Sequence, residues 1–273
     1  MYADMISTVS NTYAQEVKTF QYGYGLDGVL RYRSDKLCGI LNGIDYRTYN
    51  PETDEKILFN YGVDTIEKKK ENKYALQQQL GLNVGDAPLI SIISRLADQK
   101  GLDLVAWVAE QLLNYDIQLV VLGTGERRFE DFFRGLEWRY KGRVSANILF
   151  DDTLAQRIYA SSDMFLMPSL FEPCGLGQMF SLRYGTVPIV RKTGGLSDTV
   201  HHYNAETKEG NGFVFEHYTA DGLIWAVKEA LNVYNQGADE WENVVVNAMK
   251  SENSWRNSAK EYIAVYNKIK DEK

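Results

Sequence analysis

Three short runs in this sequence combine charged side chains with glycines, a composition that suits phosphates and polyols. The first, Arg95-Leu96-Ala97-Asp98-Gln99-Lys100-Gly101, sets an arginine and a lysine five residues apart. Two cations beside the positive end of a helix suit a diphosphate. Taken alone, the two residues read more simply as a solvated basic loop. The second run is Leu170-Phe171-Glu172-Pro173-Cys174-Gly175-Leu176-Gly177. Its glycines let a ligand approach the backbone, and its carboxylate suits hydroxyl donors such as those of a sugar better than phosphate. For Glu172 alone, a charge at a helix start reads as well. The third, Arg191-Lys192-Thr193-Gly194-Gly195-Leu196-Ser197-Asp198, puts two cations before a glycine pair. It reads as a phosphate cradle, although no G-x-x-x-x-G-K-[ST] loop occurs. Together the three suggest a nucleotide–sugar more than a bare nucleotide.

Other patterns carry less. Gly23-Tyr24-Gly25-Leu26-Asp27-Gly28 matches G-x-G-x-x-G letter for letter but lacks a clear preceding strand and a following helix, so a dinucleotide reading is set aside. Gly123-Thr124-Gly125 reads as a strand–helix turn. Cys174 as a nucleophile needs a base nearby, and His201, His202 and His217 all lie in later loops. His201 and His202 make a poor metal pair, because adjacent helical residues do not share a face. No Asp-x-Asp occurs, which argues against gripping a diphosphate through a metal ion. Cys38 and Cys174 are the only cysteines and form no Cys-x-x-Cys, so they read as free thiols of a reducing cytoplasm.

These residues need a scaffold. Between residues 87 and 200, apolar runs at 89–96, 117–122, 144–150, 163–168 and 187–190 alternate with helical spacing at 101–114, 126–140, 153–161 and 176–184. Fully apolar strands separated by amphipathic helices indicate a doubly wound α/β fold, its parallel sheet covered on both faces. Ligands of such a sheet bind beyond the carboxyl ends of its strands, so the three runs gather on one edge. Residues 2–20 are expected to hold a short helix, 37–45 a buried strand ending in a turn, and 64–80 a charged surface helix ended by Gly81. The tail reads as helices over 219–236, 239–250 and 254–270. The 273 residues carry 30 basic and 37 acidic side chains, a net charge of −7, with 44% hydrophobic composition. That is ordinary globular composition, excluding collagen, bulk disorder and coiled coil. No apolar run approaches the ~20 residues that span a bilayer. The opening MYADMISTVS is not a signal peptide. The acidic balance argues against nucleic acid.

The stretch PSLFEPCGLGQMFSLRYGTVPIVRKTGGLSDTV (168–200) closely resembles bacterial glycogen synthases and plant starch synthases. LNGIDYRTYNP (41–51) and SRLADQKG (94–101) fit the same family in the same order, and TVSNTYAQEV (8–17) and YGYGLDGVL (22–30) resemble the end of its first domain. The resemblance implies a GT-B fold, two Rossmann-like domains with the site in the cleft between them. It implies transfer of glucose from ADP-glucose to the 4-hydroxyl of a glucan's non-reducing end, with retention and no metal or other cofactor. By the same resemblance Arg95 and Lys100 hold the diphosphate and Glu172 contacts the donor glucose. Cys174, Gly175, Leu176 and Gly177 offer backbone groups to the sugar and the phosphate. Lys192, Thr193, Gly194 and Gly195 lie near the nucleotide, and Phe150 lies against adenine.

This chain departs from the pattern in places. Gly177 stands where relatives often carry a polar residue, Asn11 replaces a proline, and Phe180 stands where related retaining transferases carry a second glutamate. The resemblance divides the chain into a remnant of the first domain (1–36), a nucleotide-sugar-binding domain (37–253) and a returning terminal helix (254–273), displaced or exposed here. On that division the chain binds ADP or ADP-glucose weakly, with little transferase activity alone, and its glucan acceptor is met mainly by the missing domain. A UDP-sugar donor and a non-catalytic nucleotide-sugar module are the competing readings.

Overall fold

The computed structural model describes residues 3–271. At the N-terminal end β1 (Ile6–Thr8) leads into α1 (Asn11–Glu16) and α2 (Asp27–Tyr32). The chain then forms β2 (Leu37–Gly39), which pairs in parallel with β1. Where the sequence suggests one helix over 2–20, the β-branched Ile6 and Thr8 lie in a strand. The helix begins only after Ser10, whose hydroxyl caps it by accepting from Tyr13 N at 2.9 Å.

Next come α3 (Lys69–Gln79), β3 (Leu89–Ile93), α4 (Leu102–Leu112), β4 (Gln118–Leu122), α5 (Arg127–Arg139) and β5 (Val144–Asn147). These are followed by α6 (Asp152–Ser161), β6 (Met164–Met167), α7 (Gly177–Arg183), β7 (Val187–Arg191), α8 (Gly194–Thr199) and β8 (Phe213–Phe215). The six strands β3 to β8 form one parallel sheet in the order β5-β4-β3-β6-β7-β8. This is the doubly wound arrangement that the alternating pattern predicts. Strand side chains alternate between two apolar clusters, as period-two geometry requires. Ile90, Ile92, Leu119 and Val121 pack with α4, whereas Leu89, Val120 and Leu122 pack with Leu76 of α3 and Leu154 and Ile158 of α6.

The charged helix over 64–80 is corrected in length and burial. A 3-10 turn occupies Val63–Lys68, and α3 then buries Lys69, Asn72, Lys73 and Gln77. Lys69 Nζ donates to the carbonyl oxygens of Tyr159 (3.2 Å), Ala160 (3.0 Å) and Tyr184 (3.1 Å) and to Thr186 Oγ1 (2.8 Å). Those carbonyls close the ends of α6 and α7, where helices leave acceptors without intrahelical donors. Burial pushes the Lys69 amine down to about 7. Lys73 pairs with Asp163 at 2.6 Å.

The tail forms α9 (Ala220–Asn235), α10 (Ala238–Lys250) and α11 (Trp255–Asp271). The segment before α11 lies along residues 44–46, with Ile44 N donating to Asn253 O at 2.8 Å. Only Ser258 of α11 is buried, and Trp255, Ile263 and Tyr266 face solvent. Among the described residues, no helix is long and apolar enough to cross a membrane.

Candidate functional site

The strand order changes direction between β3 and β6, and the crevice beyond their carboxyl ends is where such sheets bind ligands. The loop after β3 carries Arg95 and Lys100; the loop after β6 carries Glu172. Gly101 lets them meet. It has φ +70°, and a Cβ there would lie 2.0 Å from Pro168 O. With the loops this close, Lys100 Nζ donates to Glu172 Oε2 at 2.5 Å. Glu172 is 6% exposed and also accepts from Ser169 Oγ at 3.2 Å. Gln99 ties the loops together: its carbonyl accepts from Leu170 N (2.9 Å), its amide donates to Phe171 O (3.3 Å), and its Oε1 accepts from Arg95 Nη2 (3.1 Å).

The third run reaches the same edge in a different role. A Cβ on Gly194 would lie 2.0 Å from Glu172 O, and one on Gly195 would lie 2.0 Å from Cys174 O. The glycine pair therefore lets two loops pack backbone to backbone. Its amides already have protein acceptors: Gly195 N donates to Glu172 O at 3.1 Å and Gly194 N to Glu16 Oε1 at 3.0 Å. Thr193 Oγ1 donates to the same Glu16 oxygen at 2.9 Å. In this structure the run therefore serves as a packing contact with the Glu172 loop. Lys192 faces away from this contact. It pairs with Glu216 at 2.6 Å on the surface and lines a separate cavity with His202 and Trp225. Successive residues at a strand end face opposite ways, so Arg191 points inward instead. Its Nη1 donates to the carbonyl oxygens of Leu170 and Ser169, the second at 3.4 Å, and it thereby holds the Glu172 loop.

Beside this edge lies a cavity of about 360 Å³ lined by Arg95, Thr124, Phe150, Tyr49, Tyr159 and Phe180, among others. Tyr49 stacks on Phe180 with ring centroids 3.9 Å apart. Phe150 stands at its rim, 85% exposed. Gly123-Thr124-Gly125 does more than turn a strand into a helix: a Cβ on Gly123 would lie 1.9 Å from Ser94 O, so the turn packs against the Arg95 loop.

The sequence comparisons bear on this edge. The family model described as "Glycosyl transferases group 1" matches residues 73–247, more than half of the chain. The chain belongs to that family. The model described as "Starch synthase catalytic domain" matches residues 1–32. The glycogen synthase of Pseudothermotoga lettingae is 55% identical over 267 residues, 97% of this chain and 55% of that protein. That of Kosmotoga olearia is 57% identical over 267 residues, 98% of this chain and 56% of that protein. The chain thus spans about half the length of these curated relatives. The catalytic domain of Starch Synthase IV from Arabidopsis thaliana, bound to ADP and acarbose, superimposes with a TM-score of 0.92 at 38% identity, covering 98% of this chain and 56% of that one. A glycosyltransferase from Rickettsia africae, at 19% identity and a TM-score of 0.67, shares the GT-B fold alone.

In this group 1 glycosyl transferase the remaining candidates are placed as follows. Cys174 is buried, and burial pushes its thiol up, so it is no activated nucleophile. We expect iodoacetamide to alkylate the half-buried Cys38 first and Cys174 only as the chain unfolds; fast native labelling of Cys174 in peptide mass maps would contradict this. Gly175 turns with φ +72° and Leu176 is partly exposed beside it. A Cβ on Gly177 would lie 3.1 Å from the Phe165 ring, a tight contact that a small shift of that ring would relieve. The G-x-G-x-x-G lookalike follows α1 rather than a strand, though α2 does begin inside it, so the dinucleotide reading still fails. His201 and His202 follow the end of α8 and are not helical. The His202 ring stacks on Trp225 and its Nδ1 accepts from Val214 N at 3.1 Å. Sequence reasoning missed Glu16, Gln99, Ser169 and the inward role of Arg191. Only Arg191 carries a local signal, its parity at the strand end.

Proposed function

We propose that this chain forms the donor-binding part of a glycogen synthase, which transfers glucose from ADP-glucose to the non-reducing end of an α-1,4-glucan with retention. The observation that carries this reading is the Lys100–Glu172 pair at the sheet's switch point, with Arg95 and an aromatic cavity beside it. The resemblance to glycogen synthases supports the donor class, and the ADP held by the starch synthase relative agrees with it. Phe150 lies against the adenine. Arg95 and Lys100 hold the diphosphate. As the sugar–oxygen bond breaks, the sugar carbon becomes cationic and negative charge grows on the departing diphosphate. Fixed cations at that oxygen are worth ~3–4 kcal/mol each in comparable sites. Glu172 accepts from glucose hydroxyls and, through Lys100, keeps the cation aimed at the diphosphate. This chemistry asks for no metal. The working place is the cytoplasm, and the glucan binds chiefly outside this chain, so the chain alone binds donor but elongates glucan little.

Calorimetric titration with ADP, UDP and ADP-glucose tests this. We expect saturable ADP binding that Arg95→Ala weakens about fivefold or more, ~1 kcal/mol. Preference for UDP would assign a UDP-sugar donor, and no binding by the folded chain would remove the donor-site reading.

A further inference from the structure

Helix α1 is fastened to α8 by two carboxylates running in opposite directions. From α8, Asp198 Oδ2 accepts from Ser10 Oγ at 2.7 Å and from Thr12 N at 3.1 Å, and its Oδ1 accepts from Thr12 Oγ1 at 2.5 Å. Asp198 thereby closes the N-terminus of α1. From the last turn of α1, Glu16 Oε1 accepts from Thr193 Oγ1 and Gly194 N and closes the N-terminus of α8. Each helix start has its free donors met by the other helix's carboxylate. The contact does not stop there. Gly195, the next residue, donates to Glu172 O at 3.1 Å, and the Glu172 side chain holds Lys100. Glu16 is thus two contacts from the ion pair at the switch point, although Glu172 lies 156 positions further along the chain. Its second oxygen, Oε2, is buried with no hydrogen-bond partner. A shielded acceptor without a donor costs stability, and local departures of this kind are expected at functional or strained sites.

We infer that Glu16 is a positioning residue for Glu172. It acts through the Thr193–Gly194–Gly195 turn, as one half of a reciprocal carboxylate latch with Asp198 that fixes residues 10–16 on the donor edge. The inference rests on the proposed donor site for its effect on binding, but the latch itself is independent of any ligand.

Two measurements on the full chain separate these. In the first, the amide resonances and hydrogen exchange of residues 194–200 are followed without ligand. Glu16→Ala is expected to speed exchange at Gly194 at least tenfold and to shift the Gly195 amide, which reports the Glu172 carbonyl. Glu16→Gln keeps an acceptor and is expected to hold exchange within threefold of the parent, which also guards against a variant that simply fails to fold. In the second, ADP affinity is expected to fall about tenfold in Glu16→Ala and less than threefold in Glu16→Gln. Thr193→Val added to Glu16→Ala should cost no more than Glu16→Ala alone. Unchanged exchange and an unshifted Gly195 amide in Glu16→Ala would overturn the latch. Faster exchange with ADP affinity within twofold of the parent would overturn the positioning role. If the parent chain binds no ADP, the donor reading fails, and the Gly195 amide alone then decides the positioning role.

Discussion

Replacing Lys100 with alanine should lower ADP affinity by about 30- to 100-fold, the ~2–3 kcal/mol worth of a hydrogen bond to a charged group. The same substitution should destabilise the fold. Its partner Glu172 has a side chain only 8% exposed, and Lys100 itself is 18% exposed. Removing one member leaves a buried carboxylate with only Ser169 Oγ as a donor among the described side chains. Breaking such pairs costs about 3 kcal/mol. The two effects separate in the double variant Lys100→Ala/Glu172→Gln, where no buried charge is stranded. Its denaturation midpoint should recover toward that of the parent while its ADP affinity stays low. Urea unfolding and calorimetry on the two variants read both quantities. A Lys100→Ala chain that binds ADP within threefold of the parent would show that the lysine serves the fold alone.

Gly195→Ala should be among the most damaging single methyls in the chain's donor loops. Its Cβ would lie 2.0 Å from Cys174 O and 2.6 Å from Cys174 Cα, both backbone atoms that no rotamer change can move. The loops must part, breaking the Gly195 N to Glu172 O bond and displacing the carboxylate. Forced overpacking of this kind costs about 3 kcal/mol, and ADP binding should be lost beyond detection at millimolar ligand. Gly135 supplies the control. It sits in α5 with open space where a Cβ would go, so Gly135→Ala should stabilise by about 0.5–1 kcal/mol through helix propensity alone. Thermal melts of the pair give the contrast, and a Gly195→Ala melt equal to that of the parent would refute the steric account.

The sheet was legible because strands buried on both faces leave continuous apolar runs, and their order follows from alternation with helices. The edge carrying Arg95, Lys100 and Glu172 was legible for the same reason: loops after such strands converge. The rest was hidden in specific ways. A glycine pair has the same letters whether it makes room for phosphate or for another loop, so the packing of Gly194 and Gly195 on the Glu172 loop left no signal of its own. Adjacent Arg191 and Lys192 look equivalent as charges, yet the strand sends them to opposite sides. Lys69 and Lys73 look solvated in a polar stretch, and only the tertiary fold supplies the carbonyls and the carboxylate that bury them. Glu16 meets its partners across 177 residues of chain, a separation that leaves no local pattern.

The sheet order also sets how far apart in sequence the paired strands lie. Strands β3, β4 and β5 are neighbours in sequence and in the sheet, whereas β3 meets β6 only across a long span; Ser91 and the Met164 carbonyl it bonds are 73 residues apart. Closing that span costs more loop entropy than pairing β3 with β4, because more chain lies between the paired strands. During synthesis the half bearing Arg95 and Lys100 can assemble while the half bearing Glu172 is still emerging. Lys100 draws its carboxylate from the loop after β6, on the other half of the sheet. The Lys100–Glu172 contact thus straddles the seam between the two halves of the sheet, and the site is charge-balanced only where both halves are in place.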